Sequence, residues 1–138
     1  MVDNKLSVLL VGAGRFGKQH LKELISLAEE GAIEFLGAVT ATEASRNAVA
    51  AQYGIPAFAG LKDELLEKAD CVDIVTPAET HVDLIRRCLP HAHVLAEKPV
   101  ATTAEEVREL AALAKESGRV LMAGHIYRHH PVIQKMKS

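Results

Sequence analysis

The string Gly12-Ala13-Gly14-Arg15-Phe16-Gly17 sets three glycines at Gly-x-Gly-x-x-Gly spacing, directly after an aliphatic run and directly before a stretch with helical periodicity. A glycine turn in that context leaves the first N–H groups of the helix without partners and aims them, with the positive end of the helix dipole, at one spot. An anion fits there. Gly12 permits the tight turn, Gly14 lets the backbone approach a pyrophosphate with no Cβ between, and Gly17 lets helix and strand close up; the amides of Arg15 and Phe16 supply donors. The chemistry is dinucleotide binding. In such sites a residue about 20 positions on, at the end of the second strand, meets the adenosine ribose, and it is a carboxylate where NAD is preferred. Here that position holds Thr40, followed by Ala41 and Thr42. A small hydroxyl removes the repulsion that excludes a 2′-phosphate, and Arg46 in the next turn is placed to pair with one. The cofactor reading is therefore NAD or NADP, leaning to NADP. Glu43 is the nearest acid, and it would reverse that preference if it faced the ribose in place of Arg46.

These residues need a frame. Short aliphatic or β-branched runs alternate with stretches of helical spacing, the pattern of a parallel sheet covered on both faces. Strands are expected at Leu6–Val11, Ile33–Thr40, Ala57–Ala59, Cys71–Thr76, Val94–Glu97 and Val120–Gly124, several of them nearly all apolar. A first helix is expected over Arg15–Glu29, with Phe16, His20 and Leu24 on one line and Gly17, Leu21, Ile25 and Ala28 on the next as the sheet-facing stripe. On that line His20 reads as a packed histidine. Further helices are expected over Glu43–Tyr53 and Lys62–Lys68, and after Thr76-Pro77-Ala78-Glu79, which has the form of a capping box with proline at the first helical position. Thr103-Ala104-Glu105-Glu106 is a second capping box; Val107, Leu110, Ala111 and Ala114 make the buried stripe of that helix, and Ser117-Gly118 ends it. The expected fold class is α/β, a three-layer doubly wound Rossmann fold with a parallel sheet ordered 3-2-1-4-5-6. Residues 1–124 form the dinucleotide-binding domain. Residues 125–138, ending in an apolar-periodic stretch Val132–Lys137, read as a linker and the start of a substrate domain that the chain does not contain.

In a sheet of this order the ligand lies across the C-terminal strand ends, so the loops after strands one, four and five bring Gly14, Thr76 and Lys98 to one crevice. Hydride transfer to or from a secondary alcohol needs the nicotinamide held flat and a group that hydrogen-bonds the reacting oxygen. Lys98 is the catalytic candidate. Its ammonium would polarise a ketone or orient an alcohol, Glu97 would order the nicotinamide ribose or amide, and Pro99 fixes the turn. A lone lysine after an edge strand is ordinarily a solvated residue, and only the convergence of the three loops argues otherwise.

The glycine string, Thr76-Pro77-Ala78-Glu79-Thr80-His81, Glu97-Lys98-Pro99 and Gly124-His125-Ile126-Tyr127-Arg128-His129-His130-Pro131 follow one another on the loops where ligands bind. In that order, over practically the whole chain, they resemble the Gfo/Idh/MocA oxidoreductases, NAD(P)-dependent enzymes acting mostly on sugars, inositols and sugar derivatives. The resemblance implies cofactor contacts from Thr76, Pro77, His81, Glu97, Lys98 and Arg128, and a proton-handling Asp or His supplied by a second domain. It implies hydride transfer to or from a carbohydrate-related small molecule; Ala101–Glu106 and Leu121–Ile126 look like members acting on nucleotide-linked amino sugars. The missing acid at Thr40 departs from the pattern. The competing reading is a dinucleotide-binding module or inactive fragment that catalyses nothing, against which the Glu97-Lys98-Pro99 turn argues.

Composition narrows the field further. The 138 residues are 49% hydrophobic and 25% charged, with 16 basic against 18 acidic residues and a formal net charge of −2, so no electrostatic footprint for nucleic acid exists. No run reaches membrane-spanning length, and Met-Val-Asp-Asn-Lys leads straight into a strand without a secretory apolar region. Cys71 and Cys88 lack Cys-x-x-Cys spacing and read as inert buried thiols of a cytoplasmic protein. The pairs His91/His93 and His129/His130 have no third ligand at usable spacing, so no metal is expected. Self-association is expected from apolar surface near the strand ends and along Ile126–Met136.

Overall fold

The computed structural model describes residues 4–138; Met1–Asp3, part of the Met-Val-Asp-Asn-Lys stretch ahead of the first strand, lie outside the described residues. The chain alternates strand and helix: β1 (Leu6–Val11), α1 (Arg15–Glu29), β2 (Ile33–Val39), α2 (Glu43–Tyr53), β3 (Ala57–Phe58), α3 (Asp63–Lys68), β4 (Cys71–Ile74), α4 (His81–Cys88), β5 (His93–Ala96), α5 (Ala104–Glu116), β6 (Leu121–Ala123) and α6 (Pro131–Lys137). The six strands form one sheet in the order β3-β2-β1-β4-β5-β6, every pair parallel. This is the doubly wound Rossmann topology read from the alternation.

Strand alternation feeds two cores. Leu9 and Val11 point to the layer holding Leu66, Ile85, Leu89 and Leu110, while Val8 and Leu10 point to the layer holding Leu21, Leu24 and Val49. Because both faces are covered, β1 and β4 are apolar at most positions, with Ser7 and Asp73 the exceptions. Their pairing runs out on a single line: Val39, Val11, Ile74, Ala96 and Ala123 are successive register partners across five strands. The loops that carry the chemistry all begin just beyond that line.

Three expectations are corrected. Thr76-Pro77-Ala78-Glu79 does not cap a helix; Ala78–Thr80 forms a 3-10 turn without a side-chain cap, and α4 begins only at His81. The Thr76 hydroxyl accepts a hydrogen bond from Thr80 Oγ1 at 2.6 Å, a partner that competes with the helix amides. Phe16 does not lie on the packed side of α1 but is 66% exposed beside the glycine turn. The buried stripe of α5 is Leu110 and Ala114, with Val107 and Ala111 exposed, because the helix overhangs the outer edge of the sheet at β6. The Thr103 capping box is formed as expected, each partner bonded to the other's backbone N–H.

Leu10 is wholly buried in the central strand. Leu10→Ala is expected to cost about 2–5 kcal/mol in urea-induced unfolding, the cost of a core cavity that a sheet flanked by two layers cannot collapse around.

Candidate functional site

The crevice begins where β1 ends. Gly12 has φ +102, and a Cβ built on it would lie 2.4 Å from the Val75 carbonyl oxygen, so only glycine lets the turn pass over the end of β4. A Cβ on Gly17 would meet the Gly12 carbonyl oxygen at 2.3 Å, which holds α1 tight against the turn it leaves. Gly14 differs from both. Nothing lies within 4 Å of its Cβ position, so the open space there is on the ligand side. Gly14 is also the N-cap of α1 and offers no side-chain acceptor, nor is there an acid in the first turn. The first amides of α1 thus meet the crevice uncapped, the arrangement a pyrophosphate requires. The crevice holds about 1040 Å³, with Arg15 and Phe16 on one rim, Thr40–Thr42 on a second and Thr76–Pro77 on a third.

At the ribose end the structure refines the expectation. Thr40 is buried and borders the crevice, yet its hydroxyl donates to the Thr42 carbonyl at 3.3 Å. It is committed to its own turn. The rim itself is Ala41, Thr42 and Ser45; Glu43 and Arg46 lie outside it. Thr42 caps α2 by accepting from the Ser45 amide.

The Thr76 loop and the Lys98 turn are fastened together by His81, which the resemblance implies as a cofactor contact. His81 is 1% exposed, with Nδ1 2.7 Å from the Pro99 carbonyl oxygen and Nε2 2.9 Å from that of Thr76. Both ring nitrogens face backbone carbonyls, one of which accepts the single N–H of a neutral imidazole, so His81 is a strut between the two loops. The expected helix began at Pro77, which put His81 one turn into it, whereas α4 starts at His81 itself.

Glu97 and Lys98 follow β5. Lys98 is exposed, its side chain outside the crevice lining, and its peptide to Pro99 is cis. Its amide donates to the Glu97 carboxylate at 3.3 Å. The other Glu97 oxygen lies 3.0 Å from His20 Nε2, while His20 Nδ1 lies 2.7 Å from the buried carboxylate of Asp73. Gly124 leaves room for Glu97, since a Cβ there would sit 2.9 Å from the carboxylate oxygen. His20 is therefore not a packed apolar-face residue but a bridge between two carboxylates. Hydrogen bonding to Asp73 holds its pKa above the ordinary 6.5 against the opposing effect of burial, with the Asp73 charge and Glu97 adding to the rise. The helical period placed His20 on the inner line of α1, but only the strand beneath shows that Asp73 is there.

Of the remaining candidates, Gly17 works behind the crevice as a packing residue, and Arg128 is exposed on a 3-10 turn at Ile126–His129, outside the lining. Burial pushes the Cys71 thiol up to about 11 and the Cys88 thiol to about 12, which keeps both protonated and unreactive near neutral pH. His93 accepts from the Val120 amide and His130 from the Val132 amide, so each has a local structural partner. Among the described residues no helix is long and apolar enough to cross a membrane, and no group of three or more His, Cys, Asp or Glu is arranged to hold a metal ion.

A parallel sheet with an uncapped glycine turn over its central strand, facing a Thr-Pro loop across an open crevice, defines a dinucleotide-binding domain. Comparison with known sequences makes that specific. The chain belongs to the Gfo/Idh/MocA oxidoreductases: the model of that family, described as an oxidoreductase family with an NAD-binding Rossmann fold, matches residues 6–125. It is 33% identical over 130 residues to the UDP-N-acetylglucosamine 3-dehydrogenase of Acidithiobacillus ferrooxidans, covering 94% of this chain and 40% of that protein. The WlbA dehydrogenase of Chromobacterium violaceum, solved with NADH and UDP-GlcNAcA, superposes with TM-score 0.86 at 28% identity, covering 99% of this chain and 40% of that one. The 3-ketoreductase KijD10 of Actinomadura kijaniata, solved as a Y186F mutant with NADP and TDP-benzene, superposes with TM-score 0.82 at 28% identity, covering 96% and 41%. The chain spans about two-fifths of the length of these relatives.

Two substitutions probe the site's fastenings. His81→Leu removes the ring N–H from between the part-buried Thr76 and Pro99 carbonyls and is expected to cost about 1–3 kcal/mol in urea-induced unfolding. For His20 the raised folded-state pKa sets the sign: its stabilisation is fully present below the unfolded value of 6.5 and disappears as pH rises through the folded value. The melting temperature of His20→Gln should fall furthest below that of the parent at about pH 5.5 and approach it at about pH 8.5, read by differential scanning calorimetry.

Proposed function

We propose that this chain is the cofactor-binding part of an NAD(P)-dependent oxidoreductase that moves a hydride to or from a secondary alcohol of a sugar, polyol or sugar nucleotide. The observation that carries the reading is the uncapped start of α1 at Gly14, with free space where a Cβ would stand. A bound NAD(P) would supply the hydride-carrying ring. The amides of Arg15 and Phe16 hold the pyrophosphate, and Thr76 and Pro77 form the facing wall. Glu97 and Lys98 stand on the adjoining turn, where Glu97 orients the nicotinamide half and Lys98 directs its ammonium to the reacting oxygen, with Arg128 serving an acidic substrate group or the nicotinamide. The proton-accepting group lies outside residues 1–124, in a substrate-binding part to which 125–138 lead. Nucleotide-linked sugars are the favoured substrate class, because relatives of this chain include a dehydrogenase named for UDP-N-acetylglucosamine and one solved with UDP-GlcNAcA.

For the cofactor we favour NADP. The rim after β2 is Ala41, Thr42 and Ser45, which places no carboxylate on that stretch of the wall to repel a 2′-phosphate. The free thiols of Cys71 and Cys88 support a reducing, cytoplasmic setting. Exposed Val120, Ile126, Tyr127, Val132 and Met136 support self-association.

Calorimetric titration of the chain with NAD and with NADP, beside Gly14→Val, tests the reading. Binding of either that disappears in the valine variant is expected, with NADP the tighter; equal binding by parent and variant would remove the glycine turn from the site. Light scattering should give a mass above that of one chain, and a monomer at high concentration would overturn self-association.

A further inference from the structure

We propose that His20 is a positioning residue that ties the phosphate-binding helix α1 to the Glu97-Lys98 turn, setting where that turn presents its side chains to the nicotinamide half of the cofactor. The inference rests on the reading of the turn given above, and it starts from distances. His20 stands about 7.5 Å along α1 from Arg15, the first residue of the anion-binding turn. From there its ring reaches Asp73 at 2.7 Å on β4 and Glu97 at 3.0 Å after β5. One side chain thus spans the pyrophosphate helix, the central sheet and the lysine turn.

The chemistry of the ring decides how the tie works. A neutral imidazole carries one N–H and donates to one carboxylate, whereas the imidazolium donates to both. Asp73 is the fixed end. It is 3% exposed, its second oxygen has no hydrogen-bond partner, and it depends on His20 for compensation. Glu97 is the movable end, on a turn rather than a strand and at the longer distance. Lys22 and Glu23 line the same open cavity along α1, Leu95 forms its wall on the β5 side, and on β4 the charge of Asp73 is felt by the Cys71 thiol. Protonated, His20 pins Glu97 and, through the Lys98 amide that donates to the same carboxylate, the backbone of Lys98. Deprotonated, it keeps Asp73 and lets Glu97 go.

The unmodified chain supplies the first test. An NMR titration without ligand, from about pH 5 to pH 9, follows the His20 ring carbons with the backbone amides of Lys98 and Gly124. Both amides are expected to shift with the His20 midpoint, and amides indifferent to that midpoint would overturn the proposal. The second test separates positioning from general support. His20→Gln should weaken NADP or NAD about fivefold, the worth of one hydrogen bond, and leave ADP affinity unchanged, since ADP lacks the nicotinamide half. Equal loss for ADP and the dinucleotide would reduce His20 to a structural residue. If the parent chain binds neither, the cofactor reading fails by itself, and the ligand-free titration still decides whether His20 governs the turn.

Discussion

The structure depends on how closely three backbones approach at the end of β1. The Gly12 amide donates to the Val39 carbonyl at 2.9 Å and the Val75 amide to that of Val11 at 2.8 Å, while the Gly12 Cα rests against the Val75 carbonyl. A single Cβ at Gly12 or Gly17 would push β4 or α1 away. With both absent, the helix start, the end of β2 and the loop after β4 share one small volume. The crevice follows from the reversal of strand order between β1 and its neighbours, which lets the loops diverge to either side.

Around that junction the loops are held by polar side chains rather than by apolar packing. His81 fastens the Thr76 loop to the Lys98 turn, and His20 fastens that turn to α1 and β4. Each histidine accounts for buried or half-buried polar atoms that would otherwise be costly. The division of labour is physical: apolar side chains set how the layers stack, and directional bonds set where the chemistry-bearing turns point. Lys98 itself stays exposed on the turn after β5, outside the crevice lining.

The alternation of aliphatic runs with helical periods was enough to order six strands and to place the glycine turn, since both are local patterns tied to backbone geometry. The start of α1 was legible for the same reason, because the glycine turn marks it chemically. The start of α4 was not. Thr76-Pro77-Ala78-Glu79 satisfies the local rule for a cap, but the Thr76 hydroxyl is taken by Thr80 and the chain makes a 3-10 turn first. Likewise Val107 and Ala111 fit a buried stripe by spacing, and their exposure reflects the absence of a neighbour beyond β6, which spacing cannot report.

The sequence by itself determined the Rossmann fold, the strand order and the dinucleotide site, because glycine spacing and apolar periodicity encode backbone shape directly. Tertiary structure alone decided which side chains face one another: that Thr40 turns its hydroxyl inward, that Glu43 and Arg46 leave the wall, that His81 is a buried strut, and that His20 joins Asp73 to Glu97. These pairings span 53 and 77 residues for His20 and 18 for His81 and Pro99. No local rule reaches that far, since only the closing of the parallel sheet brings such distant residues within hydrogen-bonding distance.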